Sequence, residues 1–252
     1  MSPARLIAWL VDRAPFLVAC AMLAAIVLLY GSLQTGVFTL DEVNLTTAAA
    51  MTLMLAATGQ TIVLIRGGID LSIGGMISLG TVIAATRFGE DPLNILLWSL
   101  LILVLGFAIG ALNGALISLL QLQPFLVTLA TWSILSGIAM LILPTDGGRF
   151  PGWWIGFGYA QALGLASPVW LLLALILFWA WFRRTRLGIT IQAVGSNEKS
   201  AFLSGVPIAR TNIVTYGLSG LFAAGAALYL TTQTGAGSPT IGKDYILLSV
   251  AA

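Results

Sequence analysis

Long apolar stretches alternate with short polar segments along most of the chain. A helix that crosses a bilayer needs about 20 apolar residues, and the pattern predicts about seven such helices, of which the third and sixth are short. The predicted spans cover residues 15–38, 45–65, 76–86, 93–120, 125–143, 168–182 and 212–232. The pattern therefore predicts an all-α, polytopic integral membrane protein whose residues 1–252 form a single transmembrane domain.

The composition agrees with this prediction and excludes several kinds of chemistry. Hydrophobic residues make up 59% of the chain and charged residues 8%, whereas a soluble domain is about one quarter charged. There is no histidine, and the one cysteine, Cys20, lies in an apolar stretch. Imidazole catalysis, histidine metal sites and an internal disulfide are therefore excluded. The basic residues lie in loops, where membrane topology explains them, so we expect membrane lipid around this chain and no nucleic acid, catalytic residue or metal site.

The most polar part of the chain is the loop at residues 183–211. It contains five basic residues and one acid, Glu198, and a basic excess of this kind is typical of the cytoplasmic side of a membrane protein. If the N-terminus is also cytoplasmic, eight of the eleven Lys and Arg residues fall on the cytoplasmic side. The charges therefore predict a cytoplasmic N-terminus and a cytoplasmic loop.

This loop contains the signals of a short helix. Asn197 is a favourable N-cap, and Glu198 in the first turn suits the positive end of a helix. Gly205 can end the helix in the left-handed conformation, and Pro207 prevents it from continuing. A helix of about two turns is marginal alone in water, so it is either a solvated connector or an element that docks against a partner.

A second notable stretch, residues 67–75, follows the second span with the sequence GGIDLSIGG. Its glycine pairs can break a helix, and Asp70 or Ser72 can cap the next one. A charge at mid-membrane costs about 2.5–3.5 kcal/mol on insertion scales, so we expect Asp70 to lie at an interface, to pair with Arg66 or a backbone amide, or to line water. Two interpretations stay open: a capping turn at the cytoplasmic surface, or a broken helix beside a translocation path, as transporters often contain.

Other small and polar residues lie within the apolar spans. Glycines at 106, 110 and 114 recur at four-residue spacing, which predicts a close-packed helix face. Polar side chains at membrane depth will seek hydrogen-bond partners. The candidates for groups beside a translocation path are Gln60, Gly67, Gly68, Asp70, Ser72, Asn113 and Thr128. Hydrogen bonding within the protein core is the alternative role for each of them.

Residues 237–244, GSPTIGKD, nearly match a phosphate-binding Walker A loop. In that motif the residue after the lysine supplies a hydroxyl to magnesium, whereas here Asp244 follows Lys243 and would repel phosphate. No buried strand is predicted before this stretch, and it falls on the predicted outer side. We therefore expect no ATP binding here.

Six short motifs together resemble those of one family. They are GGIDLS at 67–72, PFLVTL at 124–129, AVGSNE at 193–198, LSGV at 203–206, YGLSGL at 216–221 and GKDY at 242–245. In their order and spacing, the chain from about Asn44 to its end resembles the ribose-type membrane permeases of bacterial ABC importers. That group also moves other sugars and is related to the branched-chain amino-acid permeases. The GGIDLS form points to the sugar branch.

The resemblance implies a multi-pass permease subunit of the bacterial inner membrane that translocates a monosaccharide or a related sugar. Such a subunit is not an enzyme and binds no cofactor itself, because ATP and Mg bind to a separate ABC ATPase subunit. A second permease copy or paralogue would complete the pore, and a periplasmic substrate-binding protein would deliver the substrate.

The resemblance also assigns loop 183–211 a coupling role, with the ATPase docked on its short helix. Phe202 and Leu203 are the candidates for apolar contacts with the ATPase, and Glu198 and Lys199 for a polar rim around them. The residues implied in this coupling are Asn197, Glu198, Lys199, Ala201, Phe202, Leu203, Ser204 and Gly205.

Family members continue past the position of Ala252 with a glycine-rich stretch and further spans. We therefore expect a permease domain that is incomplete at its C-terminus. Among ABC importer permeases, a branched-chain amino-acid permease is the alternative to a sugar permease.

Two other classes of protein stay open. An ion-coupled secondary transporter would carry ionisable residues deep in several spans, whereas only Asp70 comes close in this chain. A membrane-embedded enzyme would need a nucleophile with a base, and no clustered pair in the sequence indicates one.

Overall fold

The structure is a computed structural model that describes residues 3–33 and 39–252. These residues form eleven helices and one short two-stranded ribbon. The helices are α1 (Pro3–Leu33), α2 (Leu40–Arg66), α3 (Ser72–Arg87), α4 (Pro92–Leu119), α5 (Pro124–Ile142), α6 (Gly152–Phe157), α7 (Ser167–Phe182), α8 (Arg186–Ser196), α9 (Glu198–Leu203), α10 (Ile208–Thr234) and α11 (Gly242–Ala251). The strands β1 (Gln161–Ala162) and β2 (Leu165–Ala166) pair antiparallel, with Gln161 opposite Ala166. The all-α prediction is confirmed.

Four helices of the described chain, α2, α4, α5 and α10, are long and apolar enough to cross a membrane. The pair α7 and α8 makes a fifth if it counts as one span, although the two helices are bent by 70° where they meet. The third predicted span corresponds to α3, whose 16 residues extend over about 24 Å and fall short of a hydrocarbon core about 30 Å thick. The end of the first predicted span, residues 34–38, lies outside the described residues. The count of seven spans therefore stays a prediction.

The chain divides into two compact units, Met1–Thr46 and Thr47–Ala252. Within the first unit, the Tyr30 hydroxyl donates a hydrogen bond of 2.8 Å to Glu42 Oε1. The apolar side chains of α1 from Leu17 onward are largely exposed, as expected of a helix that faces lipid. The second unit contains all the candidate site residues.

The glycines of α4 allow it to pack closely against α10. A Cβ at Gly106 or Gly110 would overlap the carbonyl oxygens of Gly220 and Tyr216, and one at Gly114 would lie 2.6 Å from the Asn212 carbonyl. Small residues at four-residue spacing allow backbones to approach in this way. The predicted close-packed face is confirmed.

Helix α3 lies at the centre of the second unit, against α4, α5, α10 and α11. Thirteen of its 16 residues are buried, so its faces meet protein on nearly every side and little of it is left for lipid. This position explains how a short helix with a glycine pair, Gly74 and Gly75, fits within an otherwise long-helix bundle.

The second unit has two opposite ends, each named here after an arginine that lies there. The Arg66 end is where α2 and α4 end and where α3, α5 and α10 begin. The Arg87 end is opposite, where α3 ends and where the bridge between Gly147 and Gly237 ties the segment after α5 to the segment after α10. The loop helices α8 and α9 lie at the Arg66 end, since Gly195 packs against the backbone of Ile65.

Candidate functional site

The short helix predicted in loop 183–211 is present as α9. Asn197 Oδ1 accepts a hydrogen bond of 2.9 Å from the backbone N–H of Ser200, as an N-cap should. The helix ends at Leu203, and Gly205 follows in the left-handed region with φ +81°. The predicted N-cap at Asn197 and the predicted turn at Gly205 are therefore both confirmed, because capping depends on local sequence.

Helix α9 exposes its largest apolar side chains. Phe202 is 67% exposed and Leu203 76% exposed, whereas Ala201, on the other side of the helix, is buried at 6%. A single small residue thus packs against the protein, while an aromatic and an aliphatic side chain stay largely exposed. Since one turn and a half of helix has little stability alone, other contacts must hold α9 in place.

Arg66 supplies these contacts. Its Nη2 donates a hydrogen bond of 2.8 Å to Glu198 Oε2 at the start of α9, and its Nε donates to Asn212 Oδ1 on α10. Asn212 Nδ2 in turn donates a hydrogen bond of 2.8 Å to Ser118 Oγ on α4. Arg66 is the last residue of α2, so one guanidinium connects α9 to three long helices.

The ion pair between Arg66 and Glu198 is the one salt bridge found in the described residues. The Glu198 side chain is 56% exposed and that of Arg66 is 15% exposed. A pair so open to solvent contributes about 0–1 kcal/mol to stability. The pair therefore fixes the position of α9 more than it stabilises the fold.

A cavity of about 1100 Å³ opens beside α9 at the Arg66 end. It extends from α9 to the turn between α4 and α5 and to the first turn of α10. Its lining includes Arg66, Gln121, Glu198, Lys199, Phe202 and Arg210. Three of its four charged residues are basic, so the cavity has a positive balance.

The predicted helix break is present but shorter than expected. It covers residues 67–71, between the end of α2 and the start of α3. Gly67 has φ +89° and turns the chain, while the N–H of Gly68 bonds to the Val63 carbonyl at 3.0 Å. The second glycine pair does not break the helix. Gly74 and Gly75 lie inside α3, where the lack of side chains lets Gly242 and Trp132 approach closely.

Asp70 is buried inside the second unit, with 1% of its surface exposed. Its Oδ1 accepts hydrogen bonds from the backbone N–H and the hydroxyl of Ser72, at 2.9 and 2.5 Å. Its Oδ2 accepts one of 2.7 Å from the Ser219 hydroxyl on α10. Asp70 thus caps the start of α3, but it does so in the protein interior. Of the alternatives left open for Asp70, the hydrogen bond to a backbone amide is present, whereas Arg66 pairs with Glu198 and the capping turn lies in the protein interior.

Further hydrogen bonds extend from Ser72 across the bundle. Asn113 Nδ2 on α4 donates a bond of 3.0 Å to Ser72 Oγ, and Thr131 Oγ1 on α5 donates one of 2.6 Å to Asn113 Oδ1. We refer to Asp70, Ser72, Asn113, Thr131 and Ser219 as the Asp70 network. It joins α3, α4, α5 and α10, and every carboxylate oxygen in it has a donor.

Thr128 reinforces the same break from α5. Its hydroxyl lies 3.3 Å from the Ile69 carbonyl and 3.1 Å from the Pro124 carbonyl in its own helix. Of the candidate path residues, Asp70, Ser72, Asn113 and Thr128 are therefore brought together. Sequence reasoning missed Ser219 and Thr131 as their partners, although each is a hydroxyl residue within a predicted span.

Gln60 and Tyr216 are among the residues of the described chain whose buried polar side-chain atoms have no hydrogen-bond partner. The Gln60 side chain is fully buried with both amide atoms unpaired, and the Tyr216 hydroxyl is likewise unpaired in a residue that is 1% exposed. Gly68 lies directly against this hydroxyl, where a Cβ would overlap the oxygen. Unpaired buried groups are rare in native proteins and cost about 1–3 kcal/mol each. The role beside a translocation path stays a prediction for each of its candidates, which are Gln60, Gly67, Gly68, Asp70, Ser72, Asn113 and Thr128.

Comparison with known proteins identifies the family of the chain. A family model described as branched-chain amino acid transport system / permease component matches residues 43–252. The chain belongs to this family of permeases. The matched region contains α9, Arg66, the helix break and the whole Asp70 network.

Several permeases of this family are similar over most of the chain. The ribose import permease protein RbsC of Escherichia coli (strain K12) is 32% identical over 254 residues, which cover 97% of this chain and 77% of the relative. RbsC of Bacillus subtilis (strain 168) is 32% identical over 79% of this chain and 62% of its own length. The autoinducer 2 import system permease protein LsrD of E. coli (strain K12) is 28% identical over 94% of this chain and 74% of its own. No solved structure matches the chain.

These permeases place the chain in a functional class. It is a multi-pass inner-membrane permease of the ABC importer type, as its motifs predicted. It is a transport subunit.

Proposed function

We propose that this chain is the membrane-spanning subunit of an ATP-driven importer for a sugar, and that α9 receives the movement of a separate ATPase subunit. The observation that carries the proposal is the exposed pair Phe202 and Leu203 on an anchored helix. The Arg66 end is then the cytoplasmic side, in agreement with the excess of basic residues in loop 183–211.

Helix α9 has the features of a docking element. Aromatic and aliphatic side chains that insert into a partner's groove supply most of the binding energy in helix-in-groove contacts. Phe202 and Leu203 are two-thirds or more exposed and adjacent, while the cap at Asn197 and the turn at Gly205 fix both ends of the helix. Lys199 and Glu198 then form the polar rim of this contact.

The contacts of Arg66 provide a route for movement into the membrane. A displacement of α9 would pull on Glu198, then on Arg66, and so on the end of α2 and the start of α10. Asp70 lies four residues after Arg66 across a glycine turn, and its carboxylate is bonded to α3 and α10. Movement at α9 would therefore change the angle between α2 and α3 at the glycine break, with the Asp70 network keeping α3, α4, α5 and α10 together.

The names of the relatives support a proposal for the substrate class. RbsC is named as a ribose import permease and LsrD as an autoinducer 2 import permease, so we propose a monosaccharide or a related polyhydroxylated molecule. The remaining partners of the proposal are a second permease subunit, which completes the pore, and a periplasmic binding protein, which delivers the substrate. ATP and Mg bind to the ATPase partner. A branched-chain amino acid is the alternative substrate, in keeping with the description of the family model.

The direct test is purification of the tagged chain from its native membrane in mild detergent, followed by mass spectrometry. We expect a near-stoichiometric ATPase subunit with a Walker A loop, and cross-linking from a cysteine placed at Ser200 should reach it. If the chain is isolated without an ATPase, both from native membranes and after co-expression with neighbouring genes, the proposal is wrong. Uptake of labelled ribose into ATP-depleted, energised vesicles would instead favour a secondary transporter.

A further inference from the structure

The segment after α10 returns along α3 instead of leaving the bundle. Helix α10 ends at Thr234 near the Arg87 end, and beyond the capping Gly235, Gly147 and Gly237 exchange two backbone hydrogen bonds of 3.0 and 2.8 Å. A Cβ on Gly237 would lie 2.5 Å from the Ala85 side chain. This segment therefore begins its course at the last turns of α3.

The next contacts follow α3 toward its start. Thr81 Oγ1 lies 3.3 Å from the Ser238 amide and 3.2 Å from the Ser238 carbonyl, and the N–H of Gly242 donates a bond of 3.0 Å to Ser78 Oγ. Gly242 also packs on the backbone of Gly74. From Ala85 to Gly74, the chain passes along about 16 Å of α3. Residues 236–241 are not helical along this path.

Non-helical backbone within a membrane protein is tolerated only where it is buried in protein or lines a water-filled cavity. Here one side of the segment lies against α3, and the other lines a pocket of about 280 Å³. The lining residues are Asp146, Ser238, Thr240, Ile241, Lys243 and Asp244. The pocket thus joins the loop after α5 to the start of α11.

Several polar side chains of this pocket form no salt bridge or hydrogen bond with the described residues. Asp146, Lys243 and Asp244 are exposed to solvent, and none of them forms a salt bridge with a described residue. Ser238 is 8% exposed, and although its backbone is bonded to Thr81, its hydroxyl has no hydrogen-bond partner in the described part of the chain. Charged and hydroxyl groups therefore converge on one pocket without satisfying each other.

The mixture of these groups decides what they can bind. Two carboxylates accept hydrogen bonds from hydroxyl groups, the Lys243 ammonium donates to them, and the serine and threonine hydroxyls can do either. Two carboxylates disfavour a phosphate. Among the described residues, there is also no group of three or more His, Cys, Asp or Glu that could hold a metal ion.

We propose that this pocket binds a neutral polyhydroxylated solute, of the size of a monosaccharide, on the route of the transported substrate. The proposal rests on the proposed function and deepens it, because it names a contact that the substrate makes with this chain. It also gives residues 237–244 a role. They resemble a phosphate-binding loop because they contain a glycine turn and a lysine, which here belong to a sugar site.

The test uses a cysteine in the pocket as a reporter. Cys20, the one native cysteine, is replaced by serine, and Thr240→Cys is introduced into the full chain in membrane vesicles. A membrane-impermeant maleimide then labels the pocket with or without ribose, xylose or glucose, each in the absence of any binding protein. We expect at least one of the three sugars to slow labelling several-fold, and inorganic phosphate or calcium to have no effect.

Transport measurements with the complete importer give a second readout. The double variant Asp146→Asn and Asp244→Asn should raise the KM for the imported sugar about tenfold, the effect of losing a charge-assisted hydrogen bond, with the maximal rate nearly unchanged. Glu90→Gln is the matched control, because Glu90 is an exposed acid at the same end and outside the pocket. Its KM should stay at the wild-type value.

The outcomes separate the pocket from the proposed function. If the wild-type complex imports one of the sugars but none of them slows labelling, the pocket is not a sugar site while the importer assignment stands. If phosphate or calcium protects the cysteine and sugars do not, the ligand class is wrong. If ATP drives no uptake at all into vesicles with the complete complex, the proposed function has failed, whatever the labelling shows.

Discussion

The Asp70 network buries polar groups inside the protein, whereas helix α9 exposes apolar side chains on the surface. The network buries a carboxylate at 1% exposure and surrounds it with donors from two helices. Helix α9 leaves Phe202 and Leu203 in solvent and depends on one partly exposed ion pair for its position. The first region is complete within the chain, whereas the second is complete only with a partner.

This difference indicates that the two regions have different roles in the permease. A satisfied polar network inside the bundle resists change, because removing any member leaves a buried group unpaired. A short helix with weak anchoring can move at little cost. Substitutions in the network should therefore change stability first, and substitutions on α9 should change transport while leaving the fold intact.

The largest effect is expected for Asp70→Ala. It leaves the Ser219 hydroxyl and the Ser72 amide without an acceptor, and each buried donor so left costs about 1–3 kcal/mol. We expect a sharp drop in the amount of folded protein in the membrane and a lower melting temperature in detergent. Asp70→Asn keeps an oxygen for Ser72 and should have an intermediate effect.

Glu90→Ala provides the control for this variant, since Glu90 is an exposed acid with no role in the network. A normal melting temperature for Asp70→Ala would contradict the structural importance of the network. It would also remove the basis for treating the two regions as different.

Phe202→Asp should have the next largest effect, on transport alone. A charge on the docking surface disrupts an apolar contact with the ATPase, and loss of a central contact residue costs about 2 kcal/mol or more, so uptake should fall at least tenfold. The amount of chain in the membrane should be unchanged, because Phe202 is 67% exposed. Phe202→Leu retains an apolar side chain and should keep most of the activity. Unchanged uptake by Phe202→Asp would rule out docking through this residue.

What the sequence predicted well depends on neighbours along the chain. The cap at Asn197, the turn at Gly205 and the break at Gly67 each follow from residues a few positions apart. Ser219 is 149 positions from Asp70, and Glu198 is 132 positions from Arg66. Such partners depend on helix packing, which no local pattern encodes, so the sequence alone left Arg66, a backbone amide and water open as surroundings of Asp70.

The second glycine pair shows the same limit in another way. Gly74 and Gly75 have the composition of a helix break, but they lie within α3 and serve close packing. The count of membrane spans meets the same limit. Helix α3 is apolar, but it is short and enclosed by other helices. An apolar stretch therefore indicates burial, without deciding between lipid and protein as the surroundings.

Gly68→Ala tests the contact between the break and α10. Its Cβ would overlap the Tyr216 hydroxyl oxygen, and Tyr216 has little room to move at 1% exposure. We expect a loss of stability of about 1–3 kcal/mol, as for other overpacked cores, measured as a lower melting temperature. Tyr216→Phe removes the unpaired hydroxyl and should be neutral or stabilising alone. In the double variant it should restore most of the loss, whereas no restoration would mean that Gly68 is needed for backbone conformation instead.

Glu198→Gln is expected to have the smallest effect on stability and therefore sharpens the comparison most. The Glu198 side chain is 56% exposed, and an ion pair of this kind contributes about 0–1 kcal/mol, so the melting temperature should hardly change. If Arg66 transmits movement through Glu198, ATP hydrolysis by the complex should continue while the amount of sugar imported per ATP falls. Arg184→Gln removes an exposed charge just before α8 that forms no salt bridge in the described chain, and should leave this ratio unchanged. A normal ratio for Glu198→Gln would show that α9 is coupled to the bundle through its backbone connections to α8 and α10, and that the Arg66 contact serves only to position it.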